Sequence, residues 1–216
     1  MKRIVQIADL HMRPLSRVAE NKQHYEIFFT QLRNDVKPDH IVVCGDIVNN
    51  RTEVSPEQFD LLAWFFNECA TIGNTHIILG NHDANLASKD RMDAITPVVN
   101  ALNNSKIHLY KQSGVYEFAP NYNFCVYSIT DKLNWNKVEP VKGATNICLF
   151  HGGVVGGKND DGFMLDSDTE PSFFNKYDIV MLGDYHLRQH LGFKDVEIEI
   201  DDSELSLYPD AIILEK

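Results

Sequence analysis

The sequence predicts an α/β protein built on parallel strands, and three observations carry that expectation. Apolar runs of strand length recur at Ile4 to His11, Ile41 to Ile47, His76 to Asp83, Asn146 to Gly153 and Ile179 to His186. They are near-continuous rather than alternating, which is the pattern of strands buried on both faces. Segments with helical spacing separate the early runs, and every run carries Asp, Asn or His at or just before its end.

Taken in order, the first strand is followed by a helix over His24 to Leu32, where Ile27, Phe28 and Leu32 share a face. After the second strand, Ser55 caps a helix whose first turn holds Pro56. Its stretch Phe59 to Phe66 is apolar nearly all round. A helix lying on a sheet needs only one apolar stripe, so the second face implies a homodimer contact or deeper burial beneath the segment Asp90 to Leu102. That segment reads as a third helix, interrupted before Pro97. From Lys106 to Ile129, alternation around Gly114 to Phe118 and Phe124 to Tyr127 predicts paired strands. Gly152 to Gly162 is too glycine-rich for a regular element and reads as a mobile substrate loop or a flexible connection.

With 216 residues and 44% hydrophobic composition, the chain can bury one sizeable core. No apolar stretch reaches the length of a membrane span, and Met1-Lys2-Arg3 leads straight into the first strand without room for a signal peptide. A cytoplasmic protein without a membrane partner is expected. Cys44, Cys69, Cys125 and Cys148 form no C-x-x-C pair and read as reduced core residues.

The strand endings carry the chemistry. Parallel strands present their carboxyl ends along one edge of a sheet, so Asp9, His11, Asp46, Asn81, His82, His151, Asp184 and His186 should converge. One such residue after a strand is ordinarily a cap or a turn residue. Five endings in order, with Gly beside Asp46, Asn81, His151 and Asp184, point to a pair of divalent cations such as Mn²⁺, Mg²⁺, Fe²⁺ or Zn²⁺. Two adjacent cations suit in-line attack on a phosphoryl group.

The ordered set Asp9-x-His11, Gly45-Asp46, Gly80-Asn81-His82-Asp83, His151 and Gly183-x-x-His186 resembles the calcineurin-like metallophosphoesterases. The resemblance implies a four-layer α/β/β/α sandwich. It also implies one metal on Asp9, His11, Asp46 and His186, a second on Asp46, Asn81, His151 and Asp184, and Asp46 bridging the two. Water caught between the cations would become the nucleophile, while His82 stands off the metals and acts on the substrate. Asp83 orients the His82 ring or caps a helix. Where most members carry Gly-His-x-His, this chain has Gly183-Asp184-Tyr185-His186, and the extra anion favours hard ions, Mn²⁺ first.

Within the family, ADLHMR, GDIVNNRTEVSPEQFDLLAWFF and LGDYHLRQHL are most similar to the SbcD-type nuclease subunit of bacterial and phage recombination and repair complexes. That likeness implies a DNA phosphodiesterase that pairs as a homodimer through helices and works with an ATPase partner. Asn49 stands where the branch commonly has His. Residues 1–190 are expected to form the nuclease domain and 191–216 a β-rich tail without the capping domain of the branch, Tyr208-Pro209-Asp210 resembling only the Tyr-Pro-Gly-Ser strand that leads into that domain.

A net charge of −11, with 31 acidic against 20 basic residues, predicts weak DNA affinity for the chain alone. Asp201, Asp202, Glu204 and Glu215 crowd the tail, while Arg13, Arg51, Lys158 and Arg188 lie near the motifs as phosphate contacts or solvated surface charges. Two alternatives stand beside a nuclease. One is a phosphomonoesterase or small-molecule (cyclic-nucleotide) phosphodiesterase, and the other a non-catalytic scaffold. The protein Ser/Thr phosphatase signature is replaced by Gly45-Asp46-Ile47-Val48-Asn49-Asn50-Arg51.

Overall fold

The computed structural model describes residues 3–13, 17–88, 91–158 and 161–186, and the backbone of 212–215. Among the described residues, nine strands form two sheets. The first contains β1 (Arg3–Ile7), β2 (His40–Cys44), β3 (Asn74–Ile78), β4 (Ile107–Tyr110) and β9 (Ile212–Glu215) in the order β4-β3-β2-β1-β9. The second contains β5 (Gly114–Ala119), β6 (Tyr122–Tyr127), β7 (Thr145–His151) and β8 (Ile179–Gly183) in chain order. Pairing is parallel through β1 to β4 and through β6 to β8, with β9 and β5 antiparallel at the edges.

Both faces of the parallel strands are buried, which explains their near-continuous apolar sequence. In β2, Ile41 and Val43 face the helices while Val42 and Cys44 face the second sheet. There they meet Phe124, Val126, Ile147, Leu149 and Met181, and this packing joins the sheets. The helical layer comprises α1 (Val18–Gln31), extended by a π-helical segment Leu32–Val36, α2 (Pro56–Ile72) and α3 (Thr96–Leu102). Beyond the second sheet, the 3₁₀ helices Lys132–Lys137 and Pro171–Phe174 and adjoining loops bury Tyr127, Phe150 and Phe174. The four-layer order is thus present among the described residues, with 3₁₀ turns in its outer layer. All four cysteines are buried free thiols.

Ser55 caps α2 by accepting a hydrogen bond from Gln58 N at 3.2 Å, with Pro56 opening the helix. The second apolar face of α2 is covered within the chain. Tyr25 and Phe29 of α1 pack their rings on Phe65 at 4.9 and 5.2 Å, and Phe29 meets Trp64 edge-on at 5.6 Å. Phe59 remains 38% exposed, so it is the apolar residue of this stretch that still faces solvent.

Two element boundaries differ from expectation. The first helix begins at Val18, six residues before His24, because its first turns carry few apolar residues. The third begins only at Thr96 and places Pro97 in its first turn, where a missing N–H costs nothing, rather than being interrupted by it. Asp93 accepts hydrogen bonds from Ile95 N and Thr96 N just ahead of that turn. Asp90 and most of the tail, including Asp201, Asp202, Glu204 and Tyr208 to Asp210, lie outside the described residues. Glu215, in β9, is described by its backbone alone, and β9 pairs on β1.

Candidate metal centre

The carboxyl ends of β1, β2, β3, β7 and β8 meet at one edge of the sandwich, and tight backbone contact brings them together. A Cβ at Gly80 would overlap the Asp46 carboxylate, and one at Gly183 would overlap the Cys44 carbonyl oxygen. Asp9, His11, Asp46 and Asp184 adopt left-handed backbone angles, with φ of 53°, 40°, 50° and 82°. Asp is among the residues that tolerate this region, and strain of this kind collects where side chains must be aimed at a site.

Asp46, 2% exposed, sits at the centre with its two oxygens turned to different partners. Oδ1 lies 3.3 Å from His151 Nε2 and accepts from His82 N at 2.9 Å. Oδ2 lies 3.7 Å from His11 Nε2 and 3.9 Å from His82 Nε2. His11 Nε2 is 3.1 Å from His186 Nε2, and Asp9, His11 and His186 bring their ligand atoms within 4.8 Å of one another. Asp9, Asp46 and His151 form a second such group, and His11, Asp46 and His82 a third. Asn81 Oδ1 adds a neutral donor 3.1 Å from His151 Nε2. The floor, Asp46 and His151, is buried, whereas Asn81, His186 and Asn49 around it are exposed.

His151 shows why these donors fit a cation. Its Nδ1 is 2.7 Å from the Cys44 carbonyl oxygen, which can only accept, so Nδ1 carries the proton. In the neutral ring Nε2 is then a bare lone pair facing Asp46 Oδ1 and Asn81 Oδ1. Three lone pairs converge stably only around a proton or a metal ion. The electrostatics agree. Burial lowers the His151 pKa, but the hydrogen bond and charge of Asp46, with Asp9, outweigh it and hold the ring up at about 9. Burial likewise pushes Asp9 up to about 6 and raises Asp184, and it lowers His11. Asp46 is held below the usual carboxylate range because the His151 hydrogen bond and charge overcome its own burial.

Asp9, His11, Asp46, Asn81, His82, His151 and His186 therefore come together. Asp184 joins them differently: its backbone N–H donates to both Asp9 oxygens at 3.0 Å, while its carboxylate belongs to none of the three ligand groups. The charge of Asp184 is felt by the cluster through His151, Asp46 and His186.

Asp83 is placed differently from either expectation. Its carboxylate accepts from Ile47 N, Val48 N and Gly80 N, all at 2.9 Å, and it neither touches the His82 ring nor caps a helix. The ring is instead oriented by a carbonyl, His82 Nδ1 lying 2.7 Å from Asn49 O, which turns Nε2 towards Asp46. Asn49 thus meets the site through its backbone. Arg51 donates to Asn81 O at 3.2 Å, Arg13 is exposed, and Arg188 lies outside the described residues.

The described residues of the glycine-rich segment after His151 are tied by backbone bonds to residues 164–169. Val155 N donates to Thr169 O at 2.8 Å, Leu165 N to Gly157 O at 2.8 Å, and Lys158 bridges Met164. Tyr185, between Asp184 and His186, staples it by accepting from Val154 N at 2.6 Å. Gly157 leaves room for that ring, since a Cβ there would meet Tyr185 OH at 2.7 Å. Sequence reasoning passed over Tyr185, and its only local sign was its place between two motif residues.

This chain belongs to the calcineurin-like phosphoesterase family, whose pattern it matches over residues 2–202. It is 34% identical over 207 residues to an uncharacterized protein of Acanthamoeba polyphaga mimivirus. The match takes in 89% of this chain but only 15% of that much longer protein. Among solved structures, the nuclease MPE of Pseudomonas putida matches with a TM-score of 0.39 and 15% identity, over 70% of this chain and 62% of its own. Family and donor set together define a metal-dependent phosphoesterase. Among the described residues, no helix is long and apolar enough to cross a membrane.

Proposed function

We propose that this chain is a two-metal phosphodiesterase acting on DNA, a nuclease subunit that pairs with a second copy and works with an ATPase partner. The observation that carries the two-metal reading is the division of Asp46, with Oδ1 beside His151 and Oδ2 beside His11. Asp9, His11, Asp46 and His186 would hold one ion, and Asp46, Asn81 and His151 the other, with Asp184 close by. Bound divalent cations, Mn²⁺ first among them, supply charge stabilisation at phosphorus and lower the pKa of water for in-line attack.

The remaining work falls to the chain. Cys44 O and Asn49 O fix the tautomers of His151 and His82, so both Nε2 atoms face the centre. With the Nδ1 proton committed to Asn49 O, His82 would act from Nε2, 3.9 Å from Asp46 Oδ2. Only as the imidazolium would it have a proton there to give to the departing alkoxide or to steady the phosphoryl oxygens. Asn49, Asn81 and His186 are exposed at the mouth, which lets an internal phosphate of a long chain reach the floor. The DNA assignment rests on the ADLHMR, GDIVNNRTEV and LGDYHLRQHL likeness.

The deciding experiment loads the purified protein with Mn²⁺ and offers plasmid, linear duplex, single strand, an aryl phosphodiester and an aryl phosphomonoester. Cleavage of DNA and diester, abolished by chelator and strengthened by an ATPase partner, is expected. Rapid monoester hydrolysis with no cleavage of any DNA, with or without partner, would replace this reading by the small-substrate one.

A further inference from the structure

We infer that Asp83 is a positioning residue that clamps the two ligand-bearing loops of the metal centre to each other. The β2 loop brings in Asp46, and the β3 loop brings in Asn81 and His82. The β2 loop is bonded along the β1 loop, from His11 N to Asp46 O and from Met12 N to Ile47 O, both at 2.9 Å, but the ladder between β2 and β3 ends at Cys44 and Ile78, ahead of the ligands. Asp83 supplies the missing connection. Oδ1 takes the amides of Ile47 and Val48, directly after Asp46, and Oδ2 takes the amide of Gly80, directly before Asn81.

Asp83 is 0% exposed, and three backbone donors engage both oxygens of its carboxylate. Few other groups could do this. A carboxylate is acceptor-only, whereas a carboxamide presents an NH₂ to at least one of the three amides and leaves a donor facing a donor in a dry site. The clamp acts in parallel with a second bond between the same loops, from His82 N to Asp46 Oδ1 at 2.9 Å. Together they hold the central carboxylate and the His82 backbone in a fixed relation.

This inference rests on the metal reading above and adds to it a residue that contacts neither metal nor substrate. It predicts that Asp83→Asn weakens Mn²⁺ binding by about 10- to 100-fold, the usual effect of losing an outer partner of metal ligands. At saturating Mn²⁺, kcat should fall with little change in KM, and the Gly80 amide should exchange with solvent faster than in the unmodified protein. Asp93→Asn serves as the matched control. Asp93 is another buried carboxylate bonded to backbone amides, at Ile95 and Thr96, but its other partners are Thr96 Oγ1 and Lys111, so its carboxylate does not join the ligand-bearing loops.

The test is calorimetric titration of Mn²⁺ into the unmodified protein and both variants, with circular dichroism to check folding and hydrogen exchange read at Ile47, Val48 and Gly80. Should Asp83→Asn fail to fold, Asp83→Ser, smaller and without the misplaced NH₂, is titrated instead. Weakened Mn²⁺ binding in the Asp83 variant but not in Asp93→Asn supports the clamp. Unchanged Mn²⁺ affinity in a folded Asp83 variant that has lost only thermal stability overturns it and leaves the metal reading intact. An unmodified protein that takes up no Mn²⁺ overturns both.

Discussion

Away from the metal centre, His76 gives the fold a built-in sensitivity to acid. It lies between the sheets, 2% exposed, with Nε2 3.0 Å from His40 Nδ1 and Nδ1 2.9 Å from Tyr110 OH. Phe118 and Phe124 crowd its ring at 5.9 and 4.8 Å. Burial, aided by His40 and His108, lowers its pKa from 6.5 to about 3. The folded state therefore resists a proton that the unfolded chain accepts below pH 6.5, and stability falls as pH drops from there towards 3. Between pH 7 and pH 5 this one group should cost about 2 kcal/mol, from one pKa unit being worth about 1.4 kcal/mol.

The raised pKa values of Asp9 and Asp83, about 6 and about 7, act in the opposite direction, because the folded state there binds protons more readily. The measurement must therefore be a difference. Urea unfolding of the unmodified protein and His76→Phe, at pH 7 and pH 5 in chelator, isolates the His76 contribution. The substitution removes the bonds from His76 to His40 and Tyr110, so the variant starts less stable, but its loss between the two pH values should be smaller by about 2 kcal/mol. Equal losses in the two proteins would refute the assignment.

Three further outcomes are expected. Asp46→Ala should lower metal content at both positions, measured by elemental analysis, since its oxygens face two separate ligand groups; two ions per chain in that variant would exclude a bridge. His82→Ala retains the backbone N–H that holds Asp46 Oδ1, so metal content should persist while turnover falls by about 10²- to 10⁴-fold, the usual range for a positioned acid; a metal-depleted variant would make His82 a ligand. If copies pair through α2, the contact falls on exposed Phe59 rather than on Trp64, which is engaged by Phe29 and by Lys22 at 5.1 Å. Phe59→Glu should then give a soluble monomer by light scattering, and an unmodified protein that is monomeric at high micromolar concentration removes the homodimer.

The sequence by itself determined the parallel strands, the Ser55-Pro56 helix start and the residues that meet at the strand ends, because each is written in a short local pattern. An apolar run with a ligand-type residue at its end needs only parallel order to bring Asp9, Asp46, His151 and His186 together. What only the tertiary structure decided depends on which distant segments touch. The Asp83 carboxylate finds its partners 35 and 36 residues away at Val48 and Ile47, not on the ring beside it. The glycines after His151 read as a loop because the bonds from Val155 to Thr169 and from Val154 to Tyr185 cannot be seen in composition. The second apolar face of α2 is likewise satisfied by α1, a neighbour chosen by how the helices pack on the sheet rather than by anything within α2.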